Sequence, residues 1–427
     1  MEILEEKNTI IQLPYGKERQ VEIEIQKENL HFIAEKGTVS TSNGCQKIIQ
    51  TSIRNPVGRP PIRSMVKSND KIVIIGDDIT RPTPQDIIIP IVLDELNSVG
   101  VPDKNVYVIV GLGTHRDMTK TEFRLKYGSV EDRVEITNHD YTDNLVNVGS
   151  TSSGIPIEVN KDVYKATIKI GIGNIVPHCY AGWGGGGKII QPGVCGEKTT
   201  GMTHLMGGKV KPYTKILGEV DNDVRKEIEA AAELVGLDFI INTVLDNREK
   251  IVNVVSGEPI RALRNGVDHA RKIFCPKIPS SSDIIVVSSY PADIDYWQTL
   301  KPLTYASSVV KQGGTIVLLS PCPDRVSPTH SDLRDKAKIG YEGVLESVSN
   351  GESEDMVAAG ALLLHSQILE KVDVICFSDG LRASDKEALG FSHASSPQEA
   401  LEMAMVKHGR ISKIGILKCG EILPSLK

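Results

Sequence analysis

The chain has 427 residues, of which 40% are hydrophobic and 24% charged, and its formal net charge is −6. This length exceeds what one hydrophobic core usually organises, so the sequence predicts two domains of an ordinary globular protein. The acidic balance argues against the basic surface of a nucleic-acid-binding domain, and no run of 18 apolar residues indicates a membrane span. We therefore expect a small-molecule partner, with no nucleic acid and no membrane.

The N-terminus and the cysteines indicate the compartment. The first ten residues, MEILEEKNTI, lack the positive region and apolar core of a secretory signal, so we expect a cytoplasmic protein. The seven cysteines are scattered and form no C-x-x-C pair, which argues against a disulfide framework or a zinc finger. Most of them, Cys179 and Cys195 included, are expected to be small buried side chains.

Strands and helices are predicted to alternate along the chain. The predicted strands are short β-branched runs at 71–78, 106–113, 165–176, 283–290, 313–321 and 372–380. A helical pattern at 83–100 follows the first of them, and the later runs are also separated by helical stretches. Apolar runs of this length are typical of strands buried on both faces. The sequence thus predicts an α/β protein whose two domains each have a mainly parallel sheet flanked by helices.

Prolines and serines cluster in FCPKIPSSS, residues 274–282, and indicate a domain boundary near residue 277. The prediction is an N-terminal domain of residues 1–276 and a C-terminal α/β domain of residues 277–410. The tail, 411–427, carries one more strand that fits either domain, including packing back on the first. We expect the active site in a cleft between the two domains.

Polar clusters follow three of the predicted strands: GDDITRPTP, GLGTHRDMT and PHCYAGWGGGGK. Because the carboxyl ends of parallel strands lie at one edge of a sheet, these clusters are expected to converge. The candidate residues in them are Asp78, Arg81, His115, Arg116, His178 and Lys188. Asp78, Thr80 or Thr83 also fits the N-cap of the following helix, and each histidine, His204 included, fits a hydrogen-bonded structural residue. Their coincidence at successive strand ends favours a functional site.

The chemistry of these residues suggests proton transfer beside a bulky ligand. His115 and His178 are candidates for general acid and base, because histidine titrates near neutral pH. Four glycines at 184–187 let the main chain approach a ligand closely, and Lys188 follows them directly.

A carboxylate-binding turn is predicted in the second domain. Trp297, Gln298 and Lys301 lie within one helical turn, where Gln298 and Lys301 can both bind a carboxylate. The alternative is a core tryptophan beside a lysine that extends to solvent.

An ordered set of motifs runs through the chain: DDITRPTP at 77–84, GTHR at 113–116, His178, Lys188 and His204, and WQTLK at 297–301. The set resembles the nickel-pincer lactate racemases and their 2-hydroxyacid racemase and epimerase relatives. This resemblance extends from about residue 10 to the C-terminus, across both predicted domains.

The resemblance implies a cofactor and its ligands. Lys188 would be the covalent anchor of a nickel-pincer nucleotide, a pyridinium-3-thioamide-5-thiocarboxylic acid mononucleotide with nickel, and His204 would be the protein ligand of that metal. A neutral imidazole and square-planar geometry suit Ni²⁺. The other cofactor-binding residues implied are Asp78, Arg81, Gly185, Gly186 and Gly187. Separate cofactor-biosynthesis enzymes are implied as partners, and residues 1–276 as the cofactor-binding and catalytic domain.

The reaction implied by the resemblance is racemisation or epimerisation of a 2-hydroxy acid. A Cα hydride moves to the cofactor, which leaves a planar 2-keto acid that takes the hydride back on its other face. His115 and His178 would exchange the hydroxyl proton, one for each enantiomer. The substrate-binding residues implied are Arg81, Trp297, Gln298 and Lys301.

Two departures from the family pattern concern the substrate. Trp297 stands where the lactate racemases have a tyrosine, and Leu364 stands where they have a tryptophan near the cofactor. Lactate is therefore one candidate beside a larger sugar acid or a dicarboxylic hydroxy acid. These two departures do not involve the implied anchor Lys188, the implied nickel ligand His204 or the acid–base candidates His115 and His178.

Three other functions are considered. Gly182 to Lys188 fits most of the phosphate-binding motif G-x-x-x-x-G-K-[ST], but Ile189 lacks the hydroxyl that holds Mg²⁺, which weakens a nucleotide triphosphatase. A non-catalytic binding protein of the same fold stays open, because fold does not determine function. A nicotinamide-dependent dehydrogenase is rejected, since Arg116 occupies the third glycine position of G-x-G-x-x-G.

Overall fold

The computed structural model describes residues 7–39 and 44–426. Its strands in that part of the chain are β1 (Asn8–Tyr15), β2 (Arg19–Gln26), β3 (Leu30–Ala34), β4 (Ile72–Gly76), β5 (Val106–Val110), β6 (Glu135–Asn138), β7 (Leu145–Ser150), β8 (Pro156–Asn160), β9 (Ile168–Asn174), β10 (Pro177–His178), β11 (Gly182–Trp183), β12 (Phe239–Leu245), β13 (Ile251–Gly257), β14 (Lys277–Ile278), β15 (Ser282–Ser288), β16 (Val310–Leu319), β17 (Asp373–Phe377), β18 (Ser392–His393), β19 (Ile414–Leu417) and β20 (Ser425–Leu426). The α-helices are α1 (Cys45–Arg54), α2 (Gln85–Asn97), α3 (Lys120–Tyr127), α4 (Lys161–Lys165), α5 (Glu197–Gly208), α6 (Asp223–Val235), α7 (Pro259–Phe274), α8 (Tyr296–Val309), α9 (Asp332–Asp335), α10 (Gly340–Ser349), α11 (Met356–Leu369), α12 (Ala383–Ala388) and α13 (Pro397–His408).

The described chain forms two compact units. One, here the N-terminal unit, comprises residues 37–39, 44–207 and 216–273. The other, here the C-terminal unit, comprises residues 7–36, 208–215 and 274–426. The chain therefore passes between the units more than once.

The N-terminal unit is built on a six-stranded sheet of order β13-β12-β9-β4-β5-β6. Neighbouring strands in it are parallel, except that β12 and β13 are antiparallel. The β-branched run Ile72–Ile75 is completely buried, as expected for a strand covered on both faces. Ile72 and Ile74 of this run belong to one hydrophobic core with side chains of α1 and α2. Because β9, β4 and β5 are adjacent and parallel, the segments that follow them leave the sheet at one edge.

The C-terminal unit has a second six-stranded sheet, of order β18-β17-β16-β15-β19-β3, which is parallel throughout. An antiparallel hairpin, β1 with β2, packs on it through alternate side chains. Ile11 and Ile23 belong to the core of this unit, whereas Ile10 is 64% exposed. This period of two is the usual pattern of a strand with one buried face.

The predicted fold class is confirmed, and the six predicted strands and the helix after the first are present as β4, β5, β9, β15, β16, β17 and α2. The predicted cleft between the two domains stays a prediction.

The domain boundaries differ from the prediction in three ways. The last segment of the C-terminal unit begins at Phe274, where α7 ends, rather than at 277. Residues 7–36, predicted to lie in the N-terminal domain, belong to the C-terminal unit because β3 pairs with β19. The tail from 411 also belongs there rather than to the first domain, because β19 lies between β15 and β3.

None of the seven cysteines forms a disulfide, and Cys179 and Cys195 are buried as predicted. Burial raises the pKa of the Cys195 thiol, which favours an inert, packed side chain. Among the residues that the structure describes, no helix combines the length and the apolar character that crossing a membrane requires.

Replacing Ile11 by alanine tests the assignment of the N-terminal strand to the C-terminal unit. We expect Ile11→Ala to lower the free energy of unfolding of this unit by roughly 2–5 kcal/mol, because it leaves a cavity in the core. Ile10→Ala, one residue earlier on the same strand, is the matched control and is expected to change it by less than about 0.5 kcal/mol. Urea denaturation with hydrogen exchange in β15 measures both effects. Equal effects of the two variants would contradict the assignment.

Candidate active site

Two of the predicted site residues are in direct contact. Asp78 follows β4 and His115 follows β5, and His115 Nδ1 lies 2.5 Å from Asp78 Oδ2. The other carboxylate oxygen of Asp78 accepts hydrogen bonds from the amide of Thr80 (3.1 Å) and its hydroxyl (2.5 Å). Since an ionised carboxylate only accepts hydrogen bonds, His115 carries a proton on Nδ1, which leaves Nε2 as its basic nitrogen.

The charge state of Asp78 supports this assignment. Burial raises the pKa of the Asp78 carboxyl, but the charge and hydrogen bond of His115, together with the charge of Arg81, hold that pKa well below its usual value. Asp78 is therefore ionised near neutral pH although its side chain is only 5% exposed. The interpretation of Asp78, Thr80 or Thr83 as the helix N-cap is wrong, because α2 starts after Pro84 without a side-chain cap.

The buried side chain of Asp77 binds residues of the loop that carries Asp78 and Arg81. Its carboxylate accepts hydrogen bonds from Thr83 Oγ1 (2.5 Å) and Gln85 Nε2 (2.9 Å), and Lys126 Nζ lies 3.1 Å away. Lys126 also donates to the main-chain carbonyl of Arg81. The backbone that carries Asp78 and Arg81 is thus held by buried polar contacts, as a preorganised site requires.

His178 has the opposite tautomer. It ends the two-residue strand β10, is 7% exposed, and its Nδ1 lies 3.2 Å from the amide nitrogen of Tyr180 and 3.3 Å from that of Ala181. Both amides can only donate, so Nδ1 is the acceptor and the ring of His178 carries its proton on Nε2. His115 and His178 are therefore not equivalent in this structure.

His204 lies in α5. The ring of Tyr180 lies close to the rings of both His204 and His178. The ring centroid of Tyr180 is 5.4 Å from that of His204 and 6.0 Å from that of His178. His204 Nδ1 lies 2.9 Å from the carbonyl oxygen of Thr200, one turn earlier in the helix. His204 consequently donates from Nδ1, and Nε2 carries the lone pair that a metal requires.

The glycine-rich segment ends in a short 3₁₀-helix, Gly186–Ile189, that carries Lys188. Gly185 and Gly186 have positive φ angles of 80° and 61°, a region that side chains rarely adopt, so glycine is required there. A Cβ on Gly187 would lie 2.9 Å from Ala232 Cβ, which accounts for the third glycine by close packing. The loop of His115 contacts the chain four residues after this helix, through the hydrogen bond from Gly113 N to Gly193 O (2.9 Å).

Three main-chain amides of this segment donate to acceptors within the protein. Gly184 N donates to Val176 O, Gly186 N to Asn242 Oδ1, and Lys188 N to Gly185 O. A phosphate-binding loop instead points its amides at the ligand at the start of a helix. This geometry weakens the nucleotide triphosphatase alternative and leaves the lysine side chain as the feature that the loop presents.

The predicted carboxylate-binding residues lie in the C-terminal unit, at the start of α8. Asp295 Oδ1 caps that helix by accepting from Gln298 N (2.7 Å). Lys301 Nζ donates to Gln298 Oε1, so these two side chains are in contact. Trp297 is 8% exposed, and its ring lies edge-on to His330 with centroids 4.3 Å apart.

Within the N-terminal unit, the structure brings Asp78 to His115 and places Tyr180 between His178 and His204. Arg116, by contrast, forms an ion pair with Glu122 of α3 at 2.8 Å. Sequence reasoning missed Tyr180, as well as Asn242 and Arg225, which bind the main chain of Gly186 and Gly185 respectively. A polar pair inside the apolar strand FIINTVL was a signal for Asn242, whereas Arg225 looks like an ordinary surface residue of an amphipathic helix.

Comparisons with known proteins agree with the motifs. A family model for the lactate racemase N-terminal domain matches residues 15–215, and one for the lactate racemase C-terminal domain matches residues 278–421. The chain is 29% identical over 418 residues to lactate racemase of Lactiplantibacillus plantarum, covering 96% of this chain and 98% of that protein. It is 27% identical over 420 residues to lactate racemase of Thermoanaerobacterium thermosaccharolyticum, covering 96% and 97%.

Solved structures give the same result for the fold. The lactate racemase apoprotein of T. thermosaccharolyticum has a TM-score of 0.86 at 25% identity, covering 98% of this chain and all of that one. A Thermotoga maritima protein has a TM-score of 0.71 at 20% identity, covering 91% of this chain and all of that one, which shows the fold alone.

Two α/β units with histidines at the strand ends, together with these matches, define an isomerase of the racemase class. The chain belongs to the lactate racemase family, as the sequence motifs predicted.

The depressed pKa of Asp78 makes stability depend on pH. The unfolded carboxyl titrates near about 3.9 and the folded one lower, so its contribution is present above about pH 4 and is lost as the pH falls through the folded pKa. We expect the difference in free energy of unfolding between wild type and Asp78→Asn to be larger at pH 6 than at pH 3. Urea denaturation at both values measures it, with the exposed Asp117→Asn as control. A difference independent of pH would contradict the His115–Asp78 interaction.

Proposed function

We propose that this protein racemises or epimerises a 2-hydroxy acid, with lactate the first candidate, through a 2-keto acid. The observation that supports this most directly is the set of three histidines whose ring protons are assigned by fixed partners. Asp78 leaves His115 with a basic Nε2, two amides leave His178 with an Nε2–H, and Thr200 leaves His204 with an Nε2 lone pair. The residue roles that follow are part of the proposal.

The proposed cofactor is the nickel-pincer nucleotide, and the residues fit it. No group of three or more His, Cys, Asp or Glu that could hold a metal occurs among the described residues. A nickel ion at His204 therefore needs its other donors from a bound organic group, which a pincer ligand supplies. The buried atoms Thr200 Oγ1 and Asn174 Nδ2 have no hydrogen-bond partner among described residues, so this region also has polar groups for a ligand.

The chain would hold the cofactor at several points. Lys188 is proposed as the covalent anchor and His204 as the nickel ligand, while Gly185–Gly187, Asp78 and Arg81 line the binding region. When bound, the group supplies a centre that accepts the Cα hydride of the substrate and returns it.

His115 is proposed to move the substrate proton. Its Nε2 can accept the hydroxyl proton, and the ionised Asp78 stabilises the resulting imidazolium through Nδ1–H. Asp78 also keeps the ring in the tautomer that this step needs, as the carboxylate of a catalytic triad does.

His178 is proposed to act first as a hydrogen-bond donor to the substrate oxygen. A neutral ring that keeps both amide contacts at Nδ1 presents Nε2–H and has no basic nitrogen facing the substrate. To exchange a proton with the second enantiomer, His178 needs a proton on Nδ1. Nδ1 then no longer accepts hydrogen bonds from the amides of Tyr180 and Ala181, so these two contacts have to break. The two histidines therefore begin the reaction in different states.

The carboxylate of the substrate is proposed to bind Gln298 and Lys301, with Arg81 and Trp297 as further substrate-binding residues. The alternative substrate of the same mechanism is a larger sugar acid or a dicarboxylic hydroxy acid, because Trp297 and Leu364 depart from the family pattern. Leu364 is 1% exposed within α11. We also propose cofactor-biosynthesis enzymes as partners and the cytoplasm as the location.

Mass spectrometry of protein from a host with the cofactor pathway tests the anchor. We expect an added mass on the Lys188 peptide with bound nickel, no added mass in Lys188→Ala, and retained mass with lost nickel in His204→Ala. Lys198→Ala, in the exposed first turn of α5, is the control and should behave as wild type. An unmodified Lys188 in wild type would sink the covalent mechanism, and ATP-dependent Mg²⁺ binding would then be measured.

Single-turnover kinetics test the unequal histidines. The two enantiomers of a racemic pair have equal free energies, so kcat/KM must fall equally in both directions in any variant. The rate at which each enantiomer forms the 2-keto acid within the first turnover, measured by chemical quench, is not subject to that constraint. We expect His115→Asn to slow this step for one enantiomer about 10²–10⁴-fold more strongly than for the other, and His178→Asn to show the opposite preference. Equal losses from both enantiomers in each variant would contradict separate roles.

A further inference from the structure

Arg225 of α6 is completely buried beneath the glycine-rich segment. Its Nη1 lies 3.2 Å from Gly185 O, its Nη2 lies 3.4 Å from Ala181 O, and Nη2 also donates to Trp183 O. The stretch turns at Gly182 and Gly185, which have positive φ angles, and these turns bring the carbonyls of residues 181, 183 and 185 to the same guanidinium group. One guanidinium group thus binds the segment at three places.

Two of these three peptide groups are also hydrogen-bonded at their nitrogen. The peptide between residues 183 and 184 donates from Gly184 N to Val176 O (2.6 Å). The peptide between residues 185 and 186 donates from Gly186 N to Asn242 Oδ1 (2.8 Å). Each peptide plane therefore has a partner at its oxygen and another at its nitrogen, which determines its orientation.

Lys188 is connected directly to this arrangement. Its amide donates to Gly185 O at 3.3 Å, and that carbonyl is also the acceptor for Arg225 Nη1. The turn that carries Lys188 therefore starts at the carbonyl oxygen of Gly185, to which Arg225 is hydrogen-bonded. A displacement of Gly185 would move Lys188 with it.

The charge of Arg225 is unusual for a purely structural residue. Burial lowers its pKa to about 10, so it remains charged at neutral pH. Glu229, the acidic residue of its helix whose charge acts on Arg225, forms its ion pair with Arg264 instead. A buried cation is costly without compensation, and here the carbonyl dipoles of the segment provide it. Lysine could not replace it, because only the planar fork of arginine reaches several carbonyls at once.

We propose that Arg225, with Asn242 on the opposite side, is a positioning residue that orients the Lys188 turn for attachment of the cofactor. This inference rests on the proposed function, in which Lys188 is the covalent anchor. Arg225 itself contacts neither substrate nor cofactor in this scheme and acts through the main chain of Gly185.

The experiment compares wild type with Arg225→Gln and Arg225→Lys, made in the host with the cofactor pathway. We expect the fraction of Lys188 that carries the adduct to fall about tenfold in both variants, because a small displacement of a reacting group is costly. Acylation of Lys188 in the apo protein by a small N-hydroxysuccinimide ester is expected not to fall, since the amine itself is intact. Arg264→Lys, on the neighbouring helix, is the matched control and should keep wild-type occupancy.

Amide hydrogen exchange tests the arrangement without the cofactor. We expect exchange at Gly184 and Gly186 to accelerate about tenfold in Arg225→Gln, with the melting temperature recorded to confirm folding. If that variant does not fold, Asn242→Ala removes the other partner of Gly186 and is measured in the same way.

Wild-type adduct occupancy together with wild-type exchange in the folded variants would overturn the inference, as would an equal loss of occupancy in Arg264→Lys. An unmodified Lys188 in wild type would instead refute the proposed function, and the exchange rates would still decide the role of Arg225.

Discussion

The parallel alignment of β9, β4 and β5 is the constraint on which the site depends. These strands are neighbours in one sheet, so the segments that follow them all begin at the same edge. Asp78 and His115, 37 residues apart, meet for this reason alone. An antiparallel neighbour would start its loop at the opposite edge, and no contact between these side chains would form.

The three histidines have different hydrogen-bond partners at Nδ1. His115 has a carboxylate, His178 has two amides and His204 has a helix carbonyl. Identical side chains thereby acquire different basic nitrogens, because the partner decides where the ring proton lies. The chemistry of this family member therefore depends on local backbone geometry as much as on the choice of histidine.

The glycine-rich segment illustrates how misleading a short motif can be. Its spacing resembles a phosphate-binding loop, yet the amides of Gly184, Gly186 and Lys188 donate to acceptors within the protein. Positive φ angles at Gly185 and Gly186 serve a turn that presents a lysine, and the carbonyls of the segment face Arg225. Two of its peptide groups, 183–184 and 185–186, have hydrogen-bond partners at both the oxygen and the nitrogen, which defines their orientation.

The sequence by itself determined the parallel α/β class, the six strands and the family, because burial periodicity and motif order are local properties of the chain. Of the predicted convergence, the structure shows the contact of His115 with Asp78. It did not determine that residues 7–36 belong to the C-terminal unit, since the pairing of β3 with β19 joins residues about 380 positions apart. Nor did it indicate Arg225, whose position in an amphipathic helix is typical of a surface residue. Only the tertiary structure decided which tautomer each histidine adopts and what holds the Lys188 turn, because these depend on partners that the fold brings together from distant parts of the chain.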